Sequence, residues 1–261
     1  MKKTTANDTI KITRVKQIGK SDNYKVTYQK TIDTLEEVNL PSDVIVEYRI
    51  LKDKEFEIDQ FEKVLDSANM TKWFNKTLNF LSYKARTIKE IQDYLKKGEV
   101  SDNYTQEITN RLINMRLLND EEYAYNYLEE IIRKKKGLKY FKYQLANKGI
   151  SDSIIDKVSS SYPIDLIIEE LIPSVQKQQE RLYTYPINVQ KQKLTDKLLR
   201  DGFTSNIISQ VLSKIKWSED IRKRLEVDFQ KIKKQTTDES KIVQKLLGKG
   251  YSYQDIKKLI K

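Results

Sequence analysis

The sequence predicts a mainly all-α protein. Tandem three-helix (helix-turn-helix-like) repeats would form an elongated curved array, joined to a small N-terminal β-containing subdomain. Three observations carry this. The string LANKGISDSII from Leu145 returns as LLRDGFTSNII from Leu198 and LLGKGYSYQDI from Leu246, with a looser copy, LKKGEVSDNYT, from Leu95. The first sixty or so residues alternate apolar and polar positions, as strands do. From Met70 onward the apolar period becomes helical.

Taken in order, IKITRVKQI (10–18) and YKVTY (24–28) place β-branched or aromatic residues at every second position, with turn residues GKSDN between them. A third strand fits Thr34–Leu40. Pro41-Ser42-Asp43 reads as a helix start with Ser42 as N-cap, giving helices over 43–50 and 58–68. Residues 1–68 are thus expected to form a sheet of about three strands with two helices, marginal in size for independent stability.

The repeats are aligned on Gly149, Gly202, Gly250 and, in the loose copy, Glu99, where Gly98 falls one place early. Four positions before the marker stand Leu95, Leu145, Leu198 and Leu246; eight before stand Ile91, Phe141, Leu194 and Ile242. These i, i+4 pairs make one apolar stripe. The glycine suits a left-handed helix end. Ser101, Ser151, Thr204 and Ser252 can cap the next helix, whose core face includes Ile108, Val158, Val211 and Leu259. A further helix near 120–135, 164–182 and 218–234 is assigned to the pair preceding it, and Pro173 is expected to kink or split the second of these. The expected division is 70–136, 137–186, 187–235 and a partial repeat over 236–261. Such units share core with their neighbours.

Composition excludes more chemistry than it offers. The 261 residues include no cysteine and no histidine, so disulfides, thiol nucleophiles and imidazole bases or ligands are absent. The seven glycines form no phosphate-cradling motif. Asp120-Glu121-Glu122 looks like a helix's first turn rather than a metal site. No catalytic residue, cofactor or metal is expected, and the chain is expected not to be an enzyme. The N-terminus leads into no apolar run, and no segment approaches membrane-spanning length. A cytoplasmic monomer without a membrane partner is expected.

What remains is charge. Residues 1–66 hold 12 basic and 13 acidic residues, a net of −1, whereas 67–261 hold 37 and 25, a net of +12. A polyanionic partner explains that asymmetry better than a lysine-rich composition, which should act on both parts alike. Arg133-Lys134-Lys135-Lys136 precede Gly137, and Lys139 and Lys142 follow. A helix C-terminus accounts for one or two such cations. Lys193/Lys197 and Lys241/Lys245 recur nine and five positions before the marker, turned away from the leucine stripe. Tyr123 and Tyr127 read as core or as a seam between modules.

These residues resemble the RecX family of RecA recombinase regulators. The likeness is densest over 78–152. Leu81-Ser82-Tyr83-Lys84-Ala85-Arg86-Thr87 is similar to the opening of the family's first helical module. Leu117-Leu118-Asn119-Asp120-Glu121-Glu122-Tyr123-Ala124 is similar to the start of its third helix, and Lys135-Lys136-Gly137 to its second-module entry. Ala85 and Leu138 stand where many members have proline, and Arg116 where many have glycine. The N-terminal strands and extra C-terminal repeats resemble the long form of low-G+C Gram-positive bacteria. The resemblance implies a modulator that binds the RecA–DNA filament, inhibits its ATPase and strand exchange in recombinational repair and the SOS response, and in several members binds single- and double-stranded DNA. Lys84, Arg86, Arg133, Lys134, Lys135, Lys136, Lys139, Lys142, Lys193, Lys197, Lys241 and Lys245 are assigned to the RecA- or DNA-facing surface. Whether it meets DNA or RecA is open at this point. The alternatives are a DNA-binding helical repeat protein without a RecA role and, disfavoured by the missing chemistry, a nuclease.

Overall fold

A computed structural model describes residues 9–31 and 34–260. Three long strands, β1 (Thr9–Gln17), β2 (Asn23–Thr31) and β3 (Thr34–Pro41), form the expected meander. A fourth, β4 (Glu55–Glu57), pairs antiparallel with β1, so the sheet order is β3-β2-β1-β4. Three residues are too few for alternation to reveal a strand. Ile10, Ile12, Val26, Tyr28 and Leu40 face one buried side, as period-two patterning requires.

Helix α1 (Ser42–Glu47) starts at Ser42 rather than being capped by it. Pro41 holds the N-cap place at φ −62°, and no side chain bonds the first turn. The proline ring already fixes the extended entry. The helix expected over 58–68 is α2 (Ile58–Ser82), 25 residues long. The expected boundary at 68–70 therefore falls inside a helix. No glycine or proline interrupts 58–82, and the buried stripe simply changes partner. Phe61, Val64 and Ala68 pack on the sheet core, while Phe74 packs with α3 (Ile88–Lys97) and α4 (Asp102–Asn114).

The remaining helices are α5 (Asp120–Arg133), α6 (Leu138–Asn147), α7 (Asp152–Ser159), α8 (Ile164–Arg181), α9 (Ile187–Arg200), α10 (Ser205–Ser213), α11 (Arg222–Lys233), α12 (Glu239–Gly248) and α13 (Tyr253–Ile260). They group differently from the expected division. Each long helix packs on the pair that follows it: α5 on α6 and α7, α8 on α9 and α10. Ala124, Leu128 and Ile131 of α5 belong to one core with Phe141, Leu145, Ile155 and Val158. The last module, α11–α13, is thus a full three-helix unit around Leu225, Ile232, Leu246 and Ile256, not a partial one. Counting from the glycine marker cannot show to which hairpin a long helix belongs. Pro173 lies inside the single helix α8, which it does not split.

The chain divides into two compact units, up to Asn119 and from Asp120 onward. In each, the marker stripe is core: Ile91, Leu95, Phe141, Leu145, Leu194, Leu198, Ile242 and Leu246 are all buried. The marker residues take the left-handed conformation, at φ +61° for Glu99, +76° for Gly149, +89° for Gly202 and +92° for Gly250. Gly98 is a glycine for another reason: the Trp73 ring lies on it, 2.2 Å from where a Cβ would stand. Ser101, Thr204 and Ser252 cap as expected, whereas Ser151 bonds Ser153 Oγ instead.

Within the second unit the recurring turn is a joint between modules. The turn at Gly202 sits on the start of α6: Gly137 N–H donates to the Asp201 carbonyl at 2.8 Å, and Lys139 N–H to the Gly202 carbonyl at 3.1 Å. A Cβ on Gly202 would lie 2.5 Å from the Tyr140 backbone nitrogen. The turn at Gly250 lies against the start of α9 through side chains instead: a Cβ there would stand 2.5 Å from Val189 Cγ2 and 3.0 Å from Asn188 Oδ1. Modules two and three consequently share one continuous core, from Ala124 to Ile215.

Candidate functional site

The first basic cluster ends α5. Lys135 turns the chain at φ +52°, and Gly137 is the N-cap of α6. Most of its cations have structural partners. Lys134 pairs with Glu130, Lys135 Nζ donates to the Glu170 carbonyl at 3.1 Å, and Lys142 pairs with Asp156 at 2.6 Å. Lys136 reaches Asp201 Oδ1 at 2.6 Å across the joint. Its carbonyl accepts from the Tyr162 hydroxyl at 2.9 Å, and burial pushes that phenol up to about 12. Among the described residues, Arg133 and Lys139 are exposed and make no ion pair.

The second cluster converges on the first. Lys197 Nζ reaches Asp201 Oδ2 at 3.4 Å, so two lysines about sixty residues apart in sequence share one carboxylate and leave a local excess of positive charge. Lys193 lies over the Tyr185 ring at 5.0 Å, a ring that also takes the Arg224 guanidinium at 3.5 Å. Lys193 and Lys197 then line a depression of about 440 Å³ with Arg181 and Arg200, floored by Leu182 and Leu194. Its single acidic lining residue, Asp196, accepts from Gln192. Four guanidinium or ammonium groups around one concavity can hold phosphate or carboxylate oxygens. Sequence reasoning missed Arg181 and Arg200. Arg200 follows Lys197 by three and Lys193 by seven, which is the same helical stripe. Arg181 comes from α8 and carries no such signal.

The remaining assigned residues are not gathered into this depression. Lys241 pairs with Asp238 at 3.6 Å, and Lys245 Nζ donates to Gln235 Oε1 at 3.2 Å. Both are exposed on α12. In the first unit, Lys84 is exposed after α2, and the Arg86 guanidinium stacks on Phe80 at 3.9 Å. Tyr123 and Tyr127 stack on each other and pack against the shared core.

Comparison with known proteins agrees with the helix grouping. Residues 74–112 match the family model for RecX, first three-helix domain, and residues 119–158 that for RecX, second three-helix domain. The regulatory protein RecX of Bacillus cereus (strain B4264) is 31% identical over 215 residues, covering 78% of this chain and 80% of the relative. That of Listeria monocytogenes is 27% identical over 253 residues, covering 93% and 94%. A crystal structure of regulatory protein RecX superposes with a TM-score of 0.66 at 22% identity, over 78% of this chain and 100% of that one, a likeness of fold. RecX from Lactobacillus salivarius gives a TM-score of 0.54 at 31% identity, over 57% of this chain and 97% of that one. Sequence and fold agree, and the chain belongs to the RecX family of regulatory proteins.

Proposed function

We propose that this protein binds the RecA–DNA nucleoprotein filament in the cytoplasm as a monomer and inhibits RecA ATP hydrolysis and strand exchange by occupancy alone, without chemistry of its own. The observation that carries the reading is the convergence of Arg181, Lys193, Lys197 and Arg200 on one concave face of a repeated helical module in a chain of this family. A filament presents one surface many times over. Linked modules that each engage it gain effective concentration, worth roughly 10²–10⁴ in affinity at best. Arg133, Lys139, Lys241 and Lys245 extend the positive surface, and Lys84 and Arg86 supply cations in the first unit.

The test is RecA ATPase on single-stranded DNA, titrated with the full chain and with a Lys193→Gln, Lys197→Gln, Lys241→Gln, Lys245→Gln variant. These side chains are exposed, so the fold is retained. The full chain inhibits, and the variant is at least about tenfold less potent. If the cations neutralise phosphates, the dependence of binding to the single strand on log salt flattens by about 0.7 for each phosphate left without its lysine. An unchanged slope with weaker inhibition assigns them to RecA protein. DNA binding with no effect on the ATPase would return the chain to a DNA-binding repeat protein without a RecA role.

A further inference from the structure

We infer that the first unit carries a docking groove for an extended peptide segment of another protein, one that brings both acidic and apolar side chains. The groove holds about 690 Å³ and is walled by α2 on one side and by β3 with the β1–β2 turn on the other. Its α2 wall is one helical stripe. The stripe begins with Leu65 and Ala68, which pack toward the sheet core, and continues as Asn69, Lys72, Asn75, Lys76 and Asn79. Leu65 to Asn79 spans roughly 21 Å at the helical rise, the reach of about six residues of extended chain.

Three features select the occupant. First, β3 is an edge strand: among the described residues it pairs with β2 alone. Val38 and Asn39 both line the groove. Consecutive strand residues point to opposite faces, so a cavity touching both reaches the strand's edge, where backbone N–H and C=O groups are open to a further strand. Second, Asn39 of β3 shares the groove with Asn69, Asn75 and Asn79 of α2, and among the described residues these side-chain amides are in no hydrogen bond. A carboxamide offers a donor and an acceptor together, as each peptide group does, whereas a phosphodiester only accepts. A phosphate backbone would use the cations here and leave the acceptors along the edge unmatched. Third, the charge and the apolar surface are complementary to such a segment. No carboxylate lines the groove, and the sequence has none between Asp66 and Glu90. Lys72 is exposed, and Lys76 is held over the Trp73 ring at 4.2 Å; both favour acidic side chains. The carboxylates of β3 are already occupied, Glu36 by the Tyr28 hydroxyl at 2.6 Å and Glu37 by Lys25 at 2.8 Å. Ile18, Val38 and Leu65 supply the apolar part of the lining.

The experiment titrates the full chain into a fluorescein-labelled, end-blocked peptide of about eight residues, an ordinary strand length, and follows anisotropy. Its residues repeat as valine, valine, glutamate, glutamate, which puts both side-chain types on each face of the extended chain. Saturable binding is expected. Lys72→Glu with Lys76→Glu weakens it about tenfold or more, since like charges then meet. Asn69→Ala, Asn75→Ala and Asn79→Ala combined also weaken it about tenfold or more, as loss of two or three hydrogen bonds does. All five side chains are exposed, and melting followed by circular dichroism checks each fold. Two further peptides, methylated on alternate backbone nitrogens in the two possible phases, test strand addition without altering the protein, and at least one of them loses binding. Absence of saturable binding, full affinity in both methylated peptides, unchanged affinity in both protein variants, or equal binding of polyglutamate would each overturn the proposal. So would displacement of the peptide by an equimolar oligothymidylate, which would assign the groove to nucleic acid. The assay contains no RecA, and the substituted residues lie outside the surface assigned above, so its outcome is independent of that reading.

Discussion

Replacing Gly202 by valine tests the module joint. Two costs combine. At φ +89° a side chain is held in the left-handed region, which costs about 1–2 kcal/mol. The new Cβ would also stand 2.5 Å from the Tyr140 backbone nitrogen. Backbone cannot rotate away as a side-chain tip can, so the joint must open. Opening breaks the hydrogen bonds from Gly137 N–H and Lys139 N–H, about 0.5–1.5 kcal/mol each. The sum is about 2–5 kcal/mol. Urea unfolding followed by Trp217, which packs on the shared core, measures it. Gly137→Ala isolates the close approach, because Gly137 has φ −88° and no conformational penalty, yet its Cβ would meet the Gly202 carbonyl oxygen at 2.2 Å. The two substitutions open the same joint, so their costs should fall short of additive. As a contrast, Gly248 ends α12 with nothing within 4 Å of a built Cβ, and Gly248→Ala should stabilise by about 0.5–1 kcal/mol. A Gly202→Val cost below about 1 kcal/mol, or full additivity with Gly137→Ala, would refute the joint.

Two further outcomes follow from local geometry. Arg116 holds φ +58° between α4 and α5; Arg116→Gly should raise stability by about 1 kcal/mol, and a loss of stability in thermal unfolding would contradict it. In the last module Asp228 accepts from the Tyr251 hydroxyl at 2.8 Å and from Lys249 at 3.0 Å. Burial works to raise that carboxyl, but these bonds outweigh it and hold it below its ordinary range. A depressed carboxyl contributes stability above its unfolded value of about 3.9, and the contribution is lost as pH falls through the lower folded value. Tyr251→Phe should therefore cost about 1–3 kcal/mol at neutral pH and progressively less below about pH 4 in urea unfolding across pH. A cost that grows on acidification would exclude the carboxylate's role.

Local periodicity determined the helical stripe, the left-handed markers and the strand alternation. These depend on residues within about ten positions of each other, and one side chain per turn or per pleat records them. Even Glu99 was legible as the marker over its glycine neighbour, because the leucine four places earlier fixes the register. Other features depend on residues far apart in sequence. Which hairpin a long helix joins, the continuity of α2, and β4 are set by burial against distant partners. The basic surface divides in the same way. Lys193, Lys197 and Arg200 share a stripe that spacing reveals. That Lys136 spends its charge on Asp201 across a joint, and that Arg181 completes the depression from another helix, only the tertiary structure decides. A charge in sequence has no partner until the fold brings one within reach, and the same lysine is a structural pin or a free cation according to the carboxylate it meets.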